Sequence, residues 1–421
     1  MTTVGGISRR PRTSAIGLLS ADWLSVTGNS IVGIAIPWLV LQRTGNAALA
    51  GLIVAAAIVP LILSALLGGA VVDRIGRKIS SILADLLSAA AVAAIPLIDL
   101  LGNLGLGVLA VLVAVGAVFD GPGMAAREAL TVDVSRASGI SLVKLTSYRE
   151  ALQGIGQLAG PGLAGLLIAL IGPLQTLWIS AAMFILALTI IALTVPKIPA
   201  ERPARSSPEN TSHPNIGRRY SYWASVREGI SYLWKDRTLR AVGITAALLL
   251  MFLVPLETVV LQSYFSTNGD SSGLAIVLTA FAVGGIAGSL SYALVATRVR
   301  RRLLLIGALS ATTISLALLA LLPSLPILAV ISALIGFSAG PVNPLTSVII
   351  QERTPDHLRG RIIGNITSLA LMGAPIGLLL AGPIVELFGV PTAILAIAAG
   401  CAAATIHAAL SRAFRTLDTP N

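Results

Sequence analysis

The sequence predicts an all-α membrane protein with twelve transmembrane helices arranged as two pseudo-symmetric six-helix bundles. Three observations predict it. Twelve apolar runs are long enough to cross hydrocarbon, which takes roughly 20 residues per helix. All 29 Lys and Arg residues except Arg43 fall in the termini or in every second gap between those runs. The second half of the chain also repeats the Gly and Pro pattern of the first.

The expected spans are 15–41, 47–70, 79–98, 105–126, 144–170 and 174–195, then 238–264, 272–296, 303–322, 326–349, 361–385 and 390–411. Arg9, Arg10 and Arg12 precede the first, and Arg74, Arg77 and Lys78 follow the second. Arg127, Arg136, Lys144 and Arg149 surround the gap after the fourth, and further basic residues from Lys197 to Arg240 flank the gap after the sixth. The same alternation continues through Arg300, Arg359 and Arg412. By the positive-inside rule these segments and both termini are cytoplasmic.

The composition, 55% hydrophobic and 11% charged, excludes a soluble globule. The net charge of +11 matches anionic lipid headgroups rather than nucleic acid. The basic N-terminus leads directly into a full span without a small-residue cleavage site, so the first helix is expected to stay in the mature protein. Cys401, the one cysteine, lies inside the last span, so no disulfide is expected.

The organisation follows from these runs. A cytoplasmic tail of residues 1–14 leads to a first bundle at 15–195, and a second bundle at 238–411 ends in a tail at 412–421. Between the bundles lies a polar linker, 196–237, whose first part is Pro- and Ser-rich. In its second part Trp223, Val226, Ile230 and Leu233 recur at helical spacing opposite Arg227, Glu228 and Lys235, the pattern of an interfacial amphipathic helix. Gly121-Pro122 in the fourth run is echoed by Gly340-Pro341 in the tenth, and Gly160, Pro161 and Gly165 in the fifth by Gly373, Pro375, Gly377 and Gly382 in the eleventh. Duplicated halves with interrupted helices are an architecture used by secondary transporters, with a substrate site near the midplane between them.

Between the second and third runs stands Gly69-Ala70-Val71-Val72-Asp73-Arg74-Ile75-Gly76-Arg77-Lys78. Gly69 permits close helix contact, Gly76 can adopt positive φ, and Asp73 sets a negative charge among basic ones. This segment resembles the cytoplasmic signature of the major facilitator superfamily, and the resemblance implies a gate motif that steadies the outward-facing state. The equivalent turn in the second half, Arg298 to Arg302, lacks the Asp and the second Gly.

In the fifth run, Gly156, Gly160, Pro161 and Gly165 resemble the motif of the superfamily's exporters, with Gly156, Gly160 and Ala164 forming one small face for helix packing. Ala35-Ile36-Pro37-Trp38 with Thr44-Gly45, and Phe119-Asp120-Gly121-Pro122, resemble the drug/proton antiporter branch that contains macrolide efflux proteins and the enterobactin exporter. One departure stands out: many relatives carry an arginine early in the fourth helix, and 107–118 has no charge.

Charge inside a bilayer costs about 2.5–3.5 kcal/mol per group at the helix centre and points to function. Asp22, Glu150 and Glu257 are the candidates for proton coupling. Asp22 shares a face with Ser25 and Asn29, and Glu150 with Gln153 and Gln157, so Ser25, Asn29, Gln153 and Gln157 are expected to line the substrate cavity. Asp85, Asp120 and Arg127 are expected to form a structural ion network around Asp73 and Arg74.

His407 and Cys401 lack partners at metal spacing, and no phosphate-binding loop, nucleophile elbow or zinc motif is present, so neither a cofactor, a metal nor an enzymatic activity is expected. The resemblance implies a monomeric exporter in a bacterial inner membrane whose partners are a small-molecule substrate, protons and lipids. The leading expectation is proton-coupled efflux of lipophilic or amphiphilic drugs. A dedicated siderophore or metabolite exporter is the alternative within the same family, and a non-transporting membrane scaffold the alternative outside it.

Overall fold

Each apolar run folds as a helix, because within hydrocarbon only intrasegment hydrogen bonding satisfies the backbone. The computed structural model describes residues 11–102, 104–196, 231–295, 298–354, 359–411 and 414. The first bundle comprises α1 (Pro11–Thr44), α2 (Ala47–Ile75), α3 (Arg77–Leu100), α4 (Leu106–Ser138), α5 (Leu142–Ile171) and α6 (Pro173–Thr194). The second begins with α7 (Arg237–Thr267), α8 (Ser271–Val295) and α9 (Arg301–Leu319). It continues with α10, built from Leu325–Ala339 and Val342–Arg353, and a run from Arg359 to Leu410. Gly389, at φ +82°, breaks that run into α11 (359–388) and α12 (390–410), which completes twelve. Large apolar side chains such as Leu100, Leu193 and Leu294 stand exposed on the bundle surface, as a lipid-facing belt requires.

Two expectations need revision. The fourth span was expected to end at 126, but α4 continues to Ser138, so Arg127 and Asp133 lie within the helix rather than in a connecting loop. The physical reason is that Arg127 is neutralised by tertiary partners and does not have to reach water. The Gly-Pro echo is also asymmetric: α4 runs unbroken through Pro122, whereas α10 is interrupted at Gly340-Pro341.

The linker at 197–230 and most of its expected amphipathic helix lie outside the described residues. Its last residues, 231–235, are helical, with Leu233 buried in the second bundle's core.

The duplication is clearest in the helix contacts. A Cβ on Gly160 of α5 would stand 2.3 Å from Ser30 Cβ of α1, and one on Gly156 2.8 Å from Thr27 Oγ1. In the second bundle, a Cβ on Gly373 of α11 would stand 2.2 Å from the Ala247 carbonyl oxygen of α7, and one on Gly377 1.8 Å from that of Met251. Both pairs are small-xxx-small seams that bring the backbones together.

About one and a half turns further along, the same two helices join the bundles to each other. A Cβ on Gly165 would lie 2.7 Å from Ala275 Cα of α8, and one on Gly382 2.6 Å from Ala48 Cα of α2. The Glu386 carboxylate of α11 also accepts the Ala47 N–H at the start of α2.

These crossings lie toward the face opposite the basic turns, and there one apolar cluster spans both bundles, from Ile31 to Leu41 on α1 through Leu256 to Phe265 on α7. Toward the basic face the core divides. Ala15, Leu130, Leu145 and Ile191 form a cluster wholly within the first bundle, while Leu239, Leu305, Leu345 and Ile366 form one wholly within the second. The bundles thus share one apolar core at the face opposite the basic turns, the closed face, while toward the basic face the described residues form a separate core in each bundle.

Replacing Gly377 by Val forces side-chain atoms into the Met251 backbone. The expected cost is about 1–3 kcal/mol, measured as a melting temperature several degrees lower for the detergent-solubilised protein. A melt identical to that of the parent would refute the seam.

Candidate functional site

Four helices of the first bundle converge on a buried cluster of charge. Asp22 on α1 and Asp85 on α3 are each 2% exposed, Arg127 on α4 is 4% exposed and Arg149 on α5 is 6% exposed. Arg127 donates to Asp85 Oδ1, and its other terminal nitrogen lies 3.7 Å from Asp22 Oδ1. Arg149 Nε donates to Asp22 Oδ2 at 3.0 Å, and Gln153 Nε2 donates to the same oxygen at 2.7 Å. Ser25 Oγ completes the centre, donating to Asp85 Oδ1 at 3.0 Å and lying 2.9 Å from Arg127 Nη2.

Two guanidinium groups thus compensate two carboxylates. Arg149 also reaches Glu128 at 3.4 Å, whose side chain is 77% exposed. A buried pair of this kind adds little net stability against an apolar replacement, but loss of one partner is severe because it strands the other charge.

Of the expected network, Asp85 and Arg127 do meet. Their described partners are Asp22 and Ser25 rather than the turn after α2, where Arg74 is exposed. Asp120 stands apart, two helical turns along α4. It accepts from Asn29 Nδ2 at 3.4 Å and Ser88 Oγ at 3.3 Å, and no cation among the described residues lies within ion-pair distance.

The expected stripe on α5 splits. Gln153 joins Asp22, but Glu150 and Gln157 are exposed. Arg149, read from the sequence as a topology marker, is instead the buried member. A signal for it existed, since residues 149, 153, 156 and 160 share one helical face, and Gly156 and Gly160 on that face pack against α1.

Around the gate motif, Gly76 takes φ +96° as its turn requires. Arg77 Nη1 lies 2.5 Å from Asp133 on α4, and Lys78 Nζ donates to the carbonyls of Ala192 and Val195 at the end of α6. The surroundings of Gly69 and the side chain of Asp73 lie outside the described residues. The second bundle's turn is held by Arg301, which donates to Glu352 at 2.8 Å; that bond holds the Glu352 carboxyl below its ordinary range.

Glu257 occupies a π-helical turn, Leu256–Val260, immediately after Pro255. Such turns mark functional positions and arise where a backbone donor is missing. Glu257 is partly exposed and has no ion-pair partner among the described residues, while buried Gln262 donates to its carbonyl oxygen at 3.3 Å. At the closed face, Arg43 pairs with Asp99 at the end of α3, which accounts for the one basic residue there. Also at that face a cavity of about 500 Å³ lies between the bundles, lined by Trp38, Gln42, Ile168, Pro173, Ser263 and Thr267. Ser25, Asn29, Gln153 and Gln157 do not line it.

Twelve spans in two repeated bundles, joined by a shared apolar core at one face, have the architecture of a secondary transporter. The Major Facilitator Superfamily model matches residues 18–267 and 244–421, and the chain belongs to that family. It is 35% identical over 413 residues to the multidrug efflux pump Tap of Mycobacterium tuberculosis, covering 97% of this chain and 95% of that one. It is 24% identical over 377 residues to macrolide efflux protein A of Streptococcus pyogenes, covering 87% and 88%. Among solved structures, a variant of the nucleoside transporter NupG superposes with a TM-score of 0.73 at 16% identity, covering 96% and 99%.

Replacing Arg127 by Met should destabilise the protein by about 3–5 kcal/mol, because Asp22 and Asp85 are left without their shared cation. Thermal unfolding in detergent checks this, and Arg127→Met combined with Asp85→Leu should recover part of the loss. A single variant as stable as the parent would mean that the cluster is not paired.

Proposed function

We propose that this protein exports lipophilic or amphiphilic small molecules, drugs and antibiotics among them, across a bacterial cytoplasmic membrane in exchange for protons. The observation that carries this reading is the near full-length relationship to a multidrug efflux pump. Macrolide efflux protein A supports the same direction of transport and substrate character.

The basic turns and both termini face the cytoplasm under this reading. The closed face is then the outer one, where the bundles share a core. Rocking of the bundles about the Gly165 and Gly382 crossings would expose a site between them to each side in turn. A single chain supplies both bundles.

Asp22, Glu150 and Glu257 are the carboxylates proposed to couple protons to this motion, with Ser25, Asn29, Gln153 and Gln157 as polar contacts for substrate. Their settings divide the tasks. Asp22 is held by two arginines, so it connects helices; Glu150 is exposed at the basic end of α5, and Glu257 lies on the π turn with no ion-pair partner among the described residues. Substrate and proton bias one equilibrium if each binds the two arrangements unequally.

The test is pH-gradient-driven ethidium transport in inverted membrane vesicles. Glu257→Gln is expected to lower it about tenfold, as loss of a coupling of about 1–3 kcal/mol would. Asp22→Asn should also lower it, with reduced protein yield, and Glu150→Gln should shift its pH dependence. Full pH-dependent transport in all three variants would remove the coupling assignment.

A further inference from the structure

The first bundle holds its carboxylates in two different ways. Asp22, Asp85, Asp99, Glu128 and Asp133 each face an arginine at ion-pair distance. Glu150 does not, but it is exposed and can stay hydrated. Asp120 has neither provision. It sits in the apolar depth of α4, partly buried, and its only described partners are the neutral donors Asn29 and Ser88 at 3.4 and 3.3 Å.

The elements around it supply no balancing charge. On α1 the facing group is Asn29. On α3 it is Ser88, with Asp85 about one turn away and already bound to Arg127. The α2 helix carries no titratable side chain between Ala47 and Val72. From α5, Arg149 is taken up by Asp22 and Glu128. On α4 itself, Arg127 lies two turns away, about 10 Å along the axis, and bridges Asp22 and Asp85.

A carboxylate in such a place is met by water at its partly exposed side, by a bound proton, or by Arg127 drawn toward it. The last would loosen the Asp22–Arg127–Asp85 bridge that ties α1, α3 and α4 together. Gain or loss of one proton at this position therefore changes helix packing, which an exposed carboxylate would not do. We propose that Asp120 is a further side chain of the first bundle that takes up and releases exchanged protons, with Arg127 transmitting its charge state to α1 and α3. This assignment rests on the antiport reading and adds a residue to it. The proton passes between the Asp120 carboxyl and bulk water, and no bond other than O–H is made or broken.

Two measurements on the full-length purified protein test it, with ethidium and radiolabelled erythromycin as probes. The first is proton release into weakly buffered detergent solution when the probe is added; the second is probe exchange across proteoliposomes at equal pH, which needs no net proton movement. Asp120→Asn is expected to lower release by about half or more while exchange stays within about twofold, and Asp120→Glu to restore release, by the linkage that binding reciprocity demands. Ser88→Ala, which keeps the carboxylate but removes one donor, should move the pH midpoint of release without changing exchange.

The assignment is overturned if Asp120→Asn releases protons as the parent does. It is equally overturned if that variant loses exchange together with release, which marks a structural role, or if Ser88→Ala leaves the midpoint unmoved. Absence of release from the parent protein itself would instead bring down the antiport reading, and the assignment with it.

Discussion

A guanidinium group inside a lipid-embedded bundle has to be met by carboxylates, and the arrangement of the first bundle follows from how Arg127 is met. It reaches Asp85 on α3 and Asp22 on α1, and Asp22 reaches on to Arg149 on α5. Four helices are thereby fixed in register by groups that cannot separate without stranding a charge in low dielectric. The second bundle shows no buried pair of this kind among its described residues. It is held by the α7–α11 glycine seam and by apolar packing, and it contains the π turn at Glu257. The first bundle is thus cross-linked by buried charge, and the second by close backbone packing.

What joins the bundles is physically different from what holds each together. The inter-bundle crossings at Gly162, Gly165, Gly51 and Gly382 are contacts of small residues with backbone and short side chains. Their attraction is dispersive and spread over many weak contacts. Parting them exposes shallow surface and breaks no buried ion pair; the Glu386 bond to the Ala47 N–H is the one charged contact described at this seam. In the first bundle strong, directional ion pairs act within the bundle, whereas the contacts between the bundles are weak and non-directional.

The helices, their number and the duplication were legible in the sequence, because hydrocarbon thickness fixes run length and the backbone permits nothing but helix there. The positive φ of Gly76 was legible too, since a tight turn at that spacing demands it. The ion cluster was not. Arg127 and Arg149 lie close to polar connections, where sequence reasoning treats arginine as a marker of the membrane surface, and nothing local shows that Asp22, more than a hundred residues away, supplies the counter-charge. Glu150 drew attention that its neighbour Arg149 merited, because a carboxylate in an apolar run is conspicuous whereas the face a helix turns to its neighbour is a tertiary fact. The same holds for the outward crossings of Gly162 and Gly165: the sequence marks them as small, but only packing reveals that they meet α8 of the other bundle while Gly156 and Gly160 meet α1.

Taken together, the carboxylates form a graded series whose ends have different consequences. Asp22 and Asp85 each face an arginine and tie helices together. Asp120 and Glu257 are uncompensated, one on α4 and one on α7, in different bundles. A transporter that exchanged an amphiphile for protons would need groups whose charge can change at membrane depth without dismantling the fold. Neutralising one member of a paired cluster strands its partner, so a proton on Asp22 would be felt by Arg127 and Arg149 and by the helices they tie together. At Asp120 and Glu257, which face no cation at ion-pair distance among the described residues, the same change would strand nothing.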